Sequence, residues 1–194
     1  EEIPLPSHHG WQISISTDMP PGCATGTSAA VAVALLSGLA AVHGHTLSPQ
    51  QAAQMAHMLE TTRLGLQSGI QDQIGAAFGG INDIVITQYP DFNVTPCHVS
   101  DQTRMRLGQQ LQLWYLGRPH QSSKIHEEVI RRFETVPAAQ ALLDPLRNAA
   151  SAAVDALSRG DLDKYGIALQ HNTRGQQALH PALICDDAQH IIEI

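Results

Sequence analysis

Pro20-Pro21-Gly22-Cys23-Ala24-Thr25-Gly26-Thr27-Ser28-Ala29-Ala30 is the stretch on which the reading of this chain turns. The prolines break the preceding segment, and two glycines let the backbone turn tightly enough for successive N–H groups to face one anion. Thr27 and Ser28 are N-cap residue types standing directly before the apolar run Ala29 to Val42, so a long buried helix starts there. That helix start supplies N–H donors and the positive end of the dipole. It also offers two hydroxyls suited to Mg²⁺ or a phosphate oxygen. Neither a P-loop nor a G-x-G-x-x-G spacing is present. Read alone, the loop is more simply a well-capped strand–turn–helix junction.

On the N-terminal side, Trp11 to Thr17 alternates apolar and polar residues, which predicts a half-buried strand. On the other side, Ser48 as N-cap, Pro49 at the first helical position and Gln51 three residues on predict a second helix. It is expected to run to about Thr61 or Thr62. A Gly65 to Gly69 turn leads into a short helix, Gln71 to Phe78, ended by Gly79-Gly80. Strands are predicted at Ile81 to Thr87, Val94 to Val99 and Gln110 to Leu116. Helices follow at Ser123 to Glu134, Ala138 to Leu157 (kinked at Pro145), Leu162 to Asn172 and Pro181 to Ile194. The pattern is α+β, becoming mostly helical beyond Pro90, with a subdomain boundary between Pro90 and Asp101.

The second informative stretch runs from Glu60 to Asn82. Glu60 closes one helix, Asp72 opens the next, and a Gly-containing loop lies between them. Gln71-Asp72-Gln73 sets three polar residues among Ile70, Ile74, Ala76 and Ala77, as expected where polar groups face a cleft. A carboxylate in a first helical turn also complements the dipole. A solvated turn with a capping Asp72 is an equally good reading of these residues alone.

Composition narrows the class. Of 194 residues 43% are hydrophobic, enough for one sizeable core and too many for a disordered chain. With 11 Lys+Arg against 18 Asp+Glu the net charge is −7, which disfavours nucleic acid or an anionic membrane as partner. Three separated cysteines, Cys23, Cys97 and Cys185, form no C-x-x-C pair and point to a reducing compartment, the cytoplasm. The apolar run is too short to span a bilayer. The histidine pairs His8-His9 and His43-x-His45 lack a carboxylate at ligand spacing and read as solvated or capping groups.

Taken together, the loop and the Glu60 to Asn82 stretch resemble the GHMP kinases, the galactose, homoserine, mevalonate and phosphomevalonate kinases. Pro-Pro-Gly-x-x-x-Gly-x-Ser-Ala-Ala before an apolar helix is similar to the family's second motif. Leu64-Gly65, Ser68 to Gln73 and Ala76 to Asn82 resemble the bacterial sugar-kinase branch, which holds D-glycero-D-manno-heptose 7-phosphate 1-kinase and the kinase part of fucose-salvage enzymes. Leu111 to Arg118, followed by Ser122-Ser123, resembles a strand and turn of that branch. The resemblance extends from about Trp11 to Glu127.

The resemblance implies a GHMP-kinase-like two-subdomain fold, present in part, with a mixed sheet and a helix-rich C-terminal portion. Residues 1–91 would be the C-terminal portion of the ATP-binding domain, and 92–194 part of the C-terminal domain. It implies that Pro21, Gly22, Cys23, Ala24, Thr25, Gly26, Thr27 and Ser28 wrap the ATP phosphates. Ser28 and Glu60 would hold Mg²⁺, and Asp72 would act as base on the substrate hydroxyl. Gly69, Gln71, Arg118 and Lys124 are the candidates for substrate contact. The implied activity is transfer of the γ-phosphate to a sugar or sugar-phosphate hydroxyl, the anomeric one. The alternatives are a non-sugar GHMP kinase, against which the Gln71 to Gly80 run argues, and a non-catalytic relative. Ala24-Thr25 stands where the family has Gly-Leu, restricting the backbone there. The family's N-terminal strands and third, Gly-rich motif are not found, so the chain is expected to be incomplete.

Overall fold

Ser48, Pro49 and Gln51 behave as their spacing predicts. In the computed structural model, which describes residues 10, 12–20, 22–117 and 122–192 (122–124 and 137–139 by backbone only), helix α1 spans Thr27–Val42 and α2 spans Pro49–Met58. The Ser48 hydroxyl accepts the Gln51 N–H at 3.2 Å, and Gln51 Oε1 accepts the Ser48 N–H at 2.9 Å. This reciprocal cap, with Pro49 at the first position, fixes where α2 begins. A π-helical turn, Leu59–Arg63, prolongs it, and α3 follows at Gln71–Phe78.

The first helix carries apolar residues on every side, a composition that calls for cover on more than one face. Ala32 and Val33 meet Ala52 and Ala56 of α2 in a core flanked by Leu36, Leu47, Leu59 and Ala77. Ile70 and Ile74 are 1% and 0% exposed, and each such burial contributes about 1.5–3 kcal/mol. These contacts fix α3 against α1 and α2, which sets the positions of Asp72 and Gln73. Residues 13–17 run beside the remaining face of α1, leaving a groove of about 540 Å³ lined by Ile13, Ile15, Val31, Leu35 and Leu39 among others.

The predicted strand at Trp11 to Thr17 does not form among the described residues; Trp11 itself lies outside them. Alternation supplies a strand with two faces but not with a hydrogen-bonding neighbour, and residues 12–17 join no ladder.

The chain divides into two compact units at Gly80/Ile81, where the sequence division was drawn between 91 and 92. The reason is the pairing of β1, Asn82–Gln88, with β2, Asp91–Pro96, which keeps both strands in the second unit. They are antiparallel, with Ile84 opposite Val94 and an irregularity between Val85 and Gln88. β2 thus lies three residues before the predicted Val94 to Val99, because its partner, not its own composition, sets its limits.

Helix α4, Asp101–Gln110, was not anticipated from the sequence. Ser100 caps it by accepting the Thr103 N–H at 3.1 Å, and Asp101 occupies its first turn. The strand predicted at Gln110 to Leu116 is absent: Gln110 ends α4, and 111–116 pair with nothing among the described residues. Helix α5 covers Ser122–Thr135. Pro145 starts a helix instead of kinking one: Pro137–Leu143 is a 3₁₀ segment, and α6 runs Asp144–Arg159 with the proline in its first turn.

Gly160, at φ 72°, ends α6, and α7, Leu162–Leu179, extends seven residues past its predicted end. Gly175 makes the α6–α7 approach possible, since a Cβ there would stand 2.6 Å from Leu146 Cδ2. The tail forms a short 3₁₀ turn, Pro181–Leu183, and α8, Asp186–Ile192, where a single helix was expected. Cys97, Val99, Leu157 and Leu162 form a core with Ile81, Leu107, Val154 and Tyr165. Among the described residues no helix is long and apolar enough to cross a membrane.

Asp161 caps α7 by accepting the Lys164 N–H at 3.0 Å, and that bond holds its carboxyl below the ordinary 3.8. A carboxyl with a depressed folded pKa stabilises above its unfolded pKa and loses that contribution as pH falls through the folded one. Acidifying from pH ~4 downward therefore costs the parent more stability than Asp161→Ala in chemical unfolding curves. Parallel losses would remove the cap from the acid response.

Candidate active site

In the loop before α1 the backbone alternates in hand. Gly22, Ala24 and Gly26 have φ of 73°, 56° and 69°, whereas Cys23 and Thr25 between them do not enter the left-handed region. Such alternation curls successive amides round a concave surface suited to an anion. Gly26 is the N-cap residue of α1; its carbonyl accepts the Ala30 N–H at 3.0 Å, and no side chain occupies the cap. The first turn of α1 has no acidic residue, so its N–H groups face outward without a carboxylate from their own helix. Along the rim, Cys23 Sγ lies 2.9 Å from Thr25 Oγ1, which lies 3.2 Å from Thr27 Oγ1. The Thr25 hydroxyl holds the Cys23 thiol below its usual range.

Ala24 adopts the left-handed conformation that the Gly-to-Ala difference was expected to hinder. A left-handed alanine costs roughly 1–2 kcal/mol, and a glycine there adds ~0.4–1 kcal/mol of unfolded-chain entropy. Ala24→Gly is thus expected to stabilise by about 0.5–1 kcal/mol, read as a Tm rise of roughly 1–4 °C. A lower Tm would mean that the alanine methyl is worth more than the strain.

Asp72 meets this loop. It sits in the first turn of α3, is exposed, and packs its side chain against Gly26. A Cβ placed on Gly26 would stand 3.2 Å from Asp72 Cγ and 3.4 Å from its Oδ2. Two segments 46 positions apart in the chain are therefore joined at one point, a carboxylate beside the amide cradle.

Glu60 is positioned differently. It lies in the π-helical turn, is 7% exposed, and accepts Gln73 Nε2 at 2.6 Å and Ser68 Oγ at 2.9 Å, both on Oε2. The buried carboxylate is thereby pinned to α3 and to the loop before it. His57, one turn earlier and 5% exposed, has its pKa lowered by burial, against the opposing pull of the Gly69 carbonyl and the Glu60 charge.

Of the other expected site residues, Thr27 is half-buried and Ser28 is exposed at the second position of α1. Among the described residues no hydrogen bond joins Ser28 to Glu60. The Gln71 amide folds over Gly69, so these two candidates are in contact. Pro21, Arg118 and the side chain of Lys124 lie outside the described residues. Sequence reading missed the roles of Ser68 and Gln73. The signal for Gln73 was present, since Ile70, Gln73, Ile74 and Ala77 follow helical spacing along the covered face of α3.

The residues fit the groups that the resemblance implies. A cradle of amides with three left-handed positions suits phosphate. Mg²⁺ usually takes one or two carboxylates, retaining waters and phosphate oxygens for the rest. One anchored carboxylate, Glu60, agrees with that habit. Among the described residues no group of three or more His, Cys, Asp or Glu is arranged to hold a metal ion.

Residues 1–80 match the family "GHMP kinases N terminal domain". Over 156 residues the chain is 25% identical to a mevalonate kinase of Thermococcus sibiricus, covering 80% of this chain and 42% of that protein. It is 21% identical over 178 residues to a D-glycero-alpha-D-manno-heptose 7-phosphate kinase of Campylobacter jejuni, covering 92% of this chain and 52% of that protein. To a bifunctional fucokinase/GDP-fucose pyrophosphorylase of Arabidopsis thaliana it is 26% identical over 177 residues, 89% of this chain and 16% of that protein. The chain spans about half the length, or less, of these relatives. Both sugar and mevalonate kinases align, so these alignments do not separate the two kinds. The loop, the two carboxylates and these alignments point the same way: residues 1–80 are similar to the N-terminal domain of GHMP kinases.

Proposed function

We propose that the protein is an ATP-dependent kinase that transfers the γ-phosphate to a sugar or sugar-phosphate hydroxyl, the anomeric one. The contact of Asp72 with Gly26 carries this reading, because phosphoryl transfer needs an acceptor-handling carboxylate beside the phosphate cradle. In this reading residues 21–28 wrap the phosphates, the N–H donors coming from residues 22–28. Ser28 and Glu60 hold Mg²⁺, which when bound neutralises charge on the phosphate oxygens. The acceptor oxygen bonds to the γ-phosphorus as the bond to the β–γ bridging oxygen breaks, and the hydroxyl proton passes to Asp72. An anomeric hydroxyl is more acidic than an ordinary alcohol, which suits a carboxylate base. Gly69 and Gln71 are assigned to the acceptor. The reading is of a cytoplasmic enzyme, in keeping with Cys23, Cys97 and Cys185 all being free.

The alignment over nearly the whole chain with a heptose-phosphate kinase supports the sugar acceptor. The mevalonate kinase match favours a second reading, a non-sugar acceptor at the same site. The full-length protein, incubated with Mg·ATP and a panel of sugars, sugar phosphates and mevalonate, separates them by ³¹P NMR of the product. An anomeric phosphate supports the first reading and phosphomevalonate the second. No product with any acceptor favours a non-catalytic relative.

A further inference from the structure

Glu60 is buried, and two side chains hold it by the same oxygen. Gln73 is 1% exposed and gives its Nε2 to Glu60 Oε2 at 2.6 Å. Its other polar atom, Oε1, is buried without a hydrogen-bond partner. The orientation is forced: turning the amide round would set two acceptor oxygens at that short distance. An orphaned buried acceptor costs about 1–3 kcal/mol, a cost offset by the N–H that the same amide gives to the buried Glu60 carboxylate. The amide is at this position for its N–H. Ser68 gives a second donor at 2.9 Å, again to Oε2.

The location adds a coupling. Gln73 follows Asp72 in the first turn of α3, and successive residues of a helix point about 100° apart. Asp72 faces Gly26 of the phosphate loop while Gln73 reaches inward to Glu60. One helical turn therefore places both carboxylates of the site, one by carrying it and one by gripping it. The π-helical geometry of Leu59–Arg63 belongs to the same arrangement, since such turns recur where a side chain is re-aimed at a site.

We propose that Gln73, assisted by Ser68, is a positioning residue for the metal: together they hold Glu60 by Oε2 and leave its other oxygen to Mg²⁺. This rests on the kinase reading above and adds to it the residues that set metal affinity. Partners that orient a metal ligand typically change affinity by about 10–100-fold when removed.

The experiment uses the full-length protein and two readouts. One is the Tm increment that Mg²⁺ adds to ADP-bound protein, which needs no turnover. The other is the Mg²⁺ concentration giving half-maximal phosphoryl transfer. Gln73→Met is expected to raise that concentration about tenfold or more, to abolish most of the Mg²⁺-dependent Tm increment, and to leave the acceptor KM within about twofold. Ser68→Ala moves the same way by less, and Ser68→Thr, which keeps the hydroxyl, restores most of the parent's Mg²⁺ response. Should Gln73→Met not fold, the Ser68 pair decides alone. Unchanged Mg²⁺ dependence in both Gln73→Met and Ser68→Ala overturns the assignment while the kinase reading stands. A parent that binds no Mg·ADP overturns the kinase reading and this proposal with it.

Discussion

Asp72→Asn in the full-length protein is expected to lower kcat by about a hundredfold or more, with the KM for ATP little changed. Asparagine keeps the size and shape of the side chain, so the packing against Gly26 survives. What it loses is the capacity to accept a proton and the negative charge that orients the acceptor hydroxyl. A purely structural role predicts something much smaller. A carboxylate in the first turn of a helix contributes about 0.3–1 kcal/mol through the dipole, and Asp72 is exposed, so little burial is at stake. Loss of less than 1 kcal/mol of stability does not slow turnover a hundredfold in a protein that remains folded. Steady-state kinetics beside a thermal melt separate the two. A variant turning over within about twofold of the parent removes Asp72 from the chemistry.

Gly26→Ala is expected to act on the nucleotide. At φ 69° an added Cβ costs roughly 1–2 kcal/mol in backbone energy alone. The same Cβ would crowd Asp72 Cγ at 3.2 Å, tighter than ordinary packing, so the carboxylate must shift by a few tenths of an ångström. The loop relieves both by leaving the left-handed conformation, which opens the amide cradle. Restoring that shape on binding returns the strain, so Mg·ADP binds about 5–30-fold more weakly by calorimetry. The disturbed Asp72 adds a fall in kcat, a combination that Ala24→Gly does not share. Unchanged ADP affinity would mean that the loop is not the phosphate site.

The sequence showed its helices best where a terminus carries its own chemistry. Ser48, Pro49 and Gln51 announce α2 because a cap is satisfied within four residues, and Gly79 ends α3 by a conformation other residues resist. Strands at 12–17 and 111–116 were misread because alternation or β-prone composition describes faces, whereas a strand exists only by pairing with another. β2 was found three residues out of place for the same reason. Helix α4 was missed because its residues are largely polar and its evidence lies in Ser100 and Asp101. At the site, the loop's turning was legible from Gly22 and Gly26. Its approach to Asp72 was not, since it depends on how α3 packs on α1. Gln73 was overlooked because polarity suggested a cleft, although its spacing with Ile70, Ile74 and Ala77 already placed it inward.

A titration of the full-length protein with a Mg²⁺ complex of a non-hydrolysable ATP analogue, followed residue by residue at the backbone amides, tests whether this loop and this carboxylate form one phosphoryl-transfer site. The expected result is a saturable shift of the amides of residues 22–28, with Asp72 and Gln73 moving at the same midpoint. Saturable shifts elsewhere, with the loop amides unmoved, would contradict it.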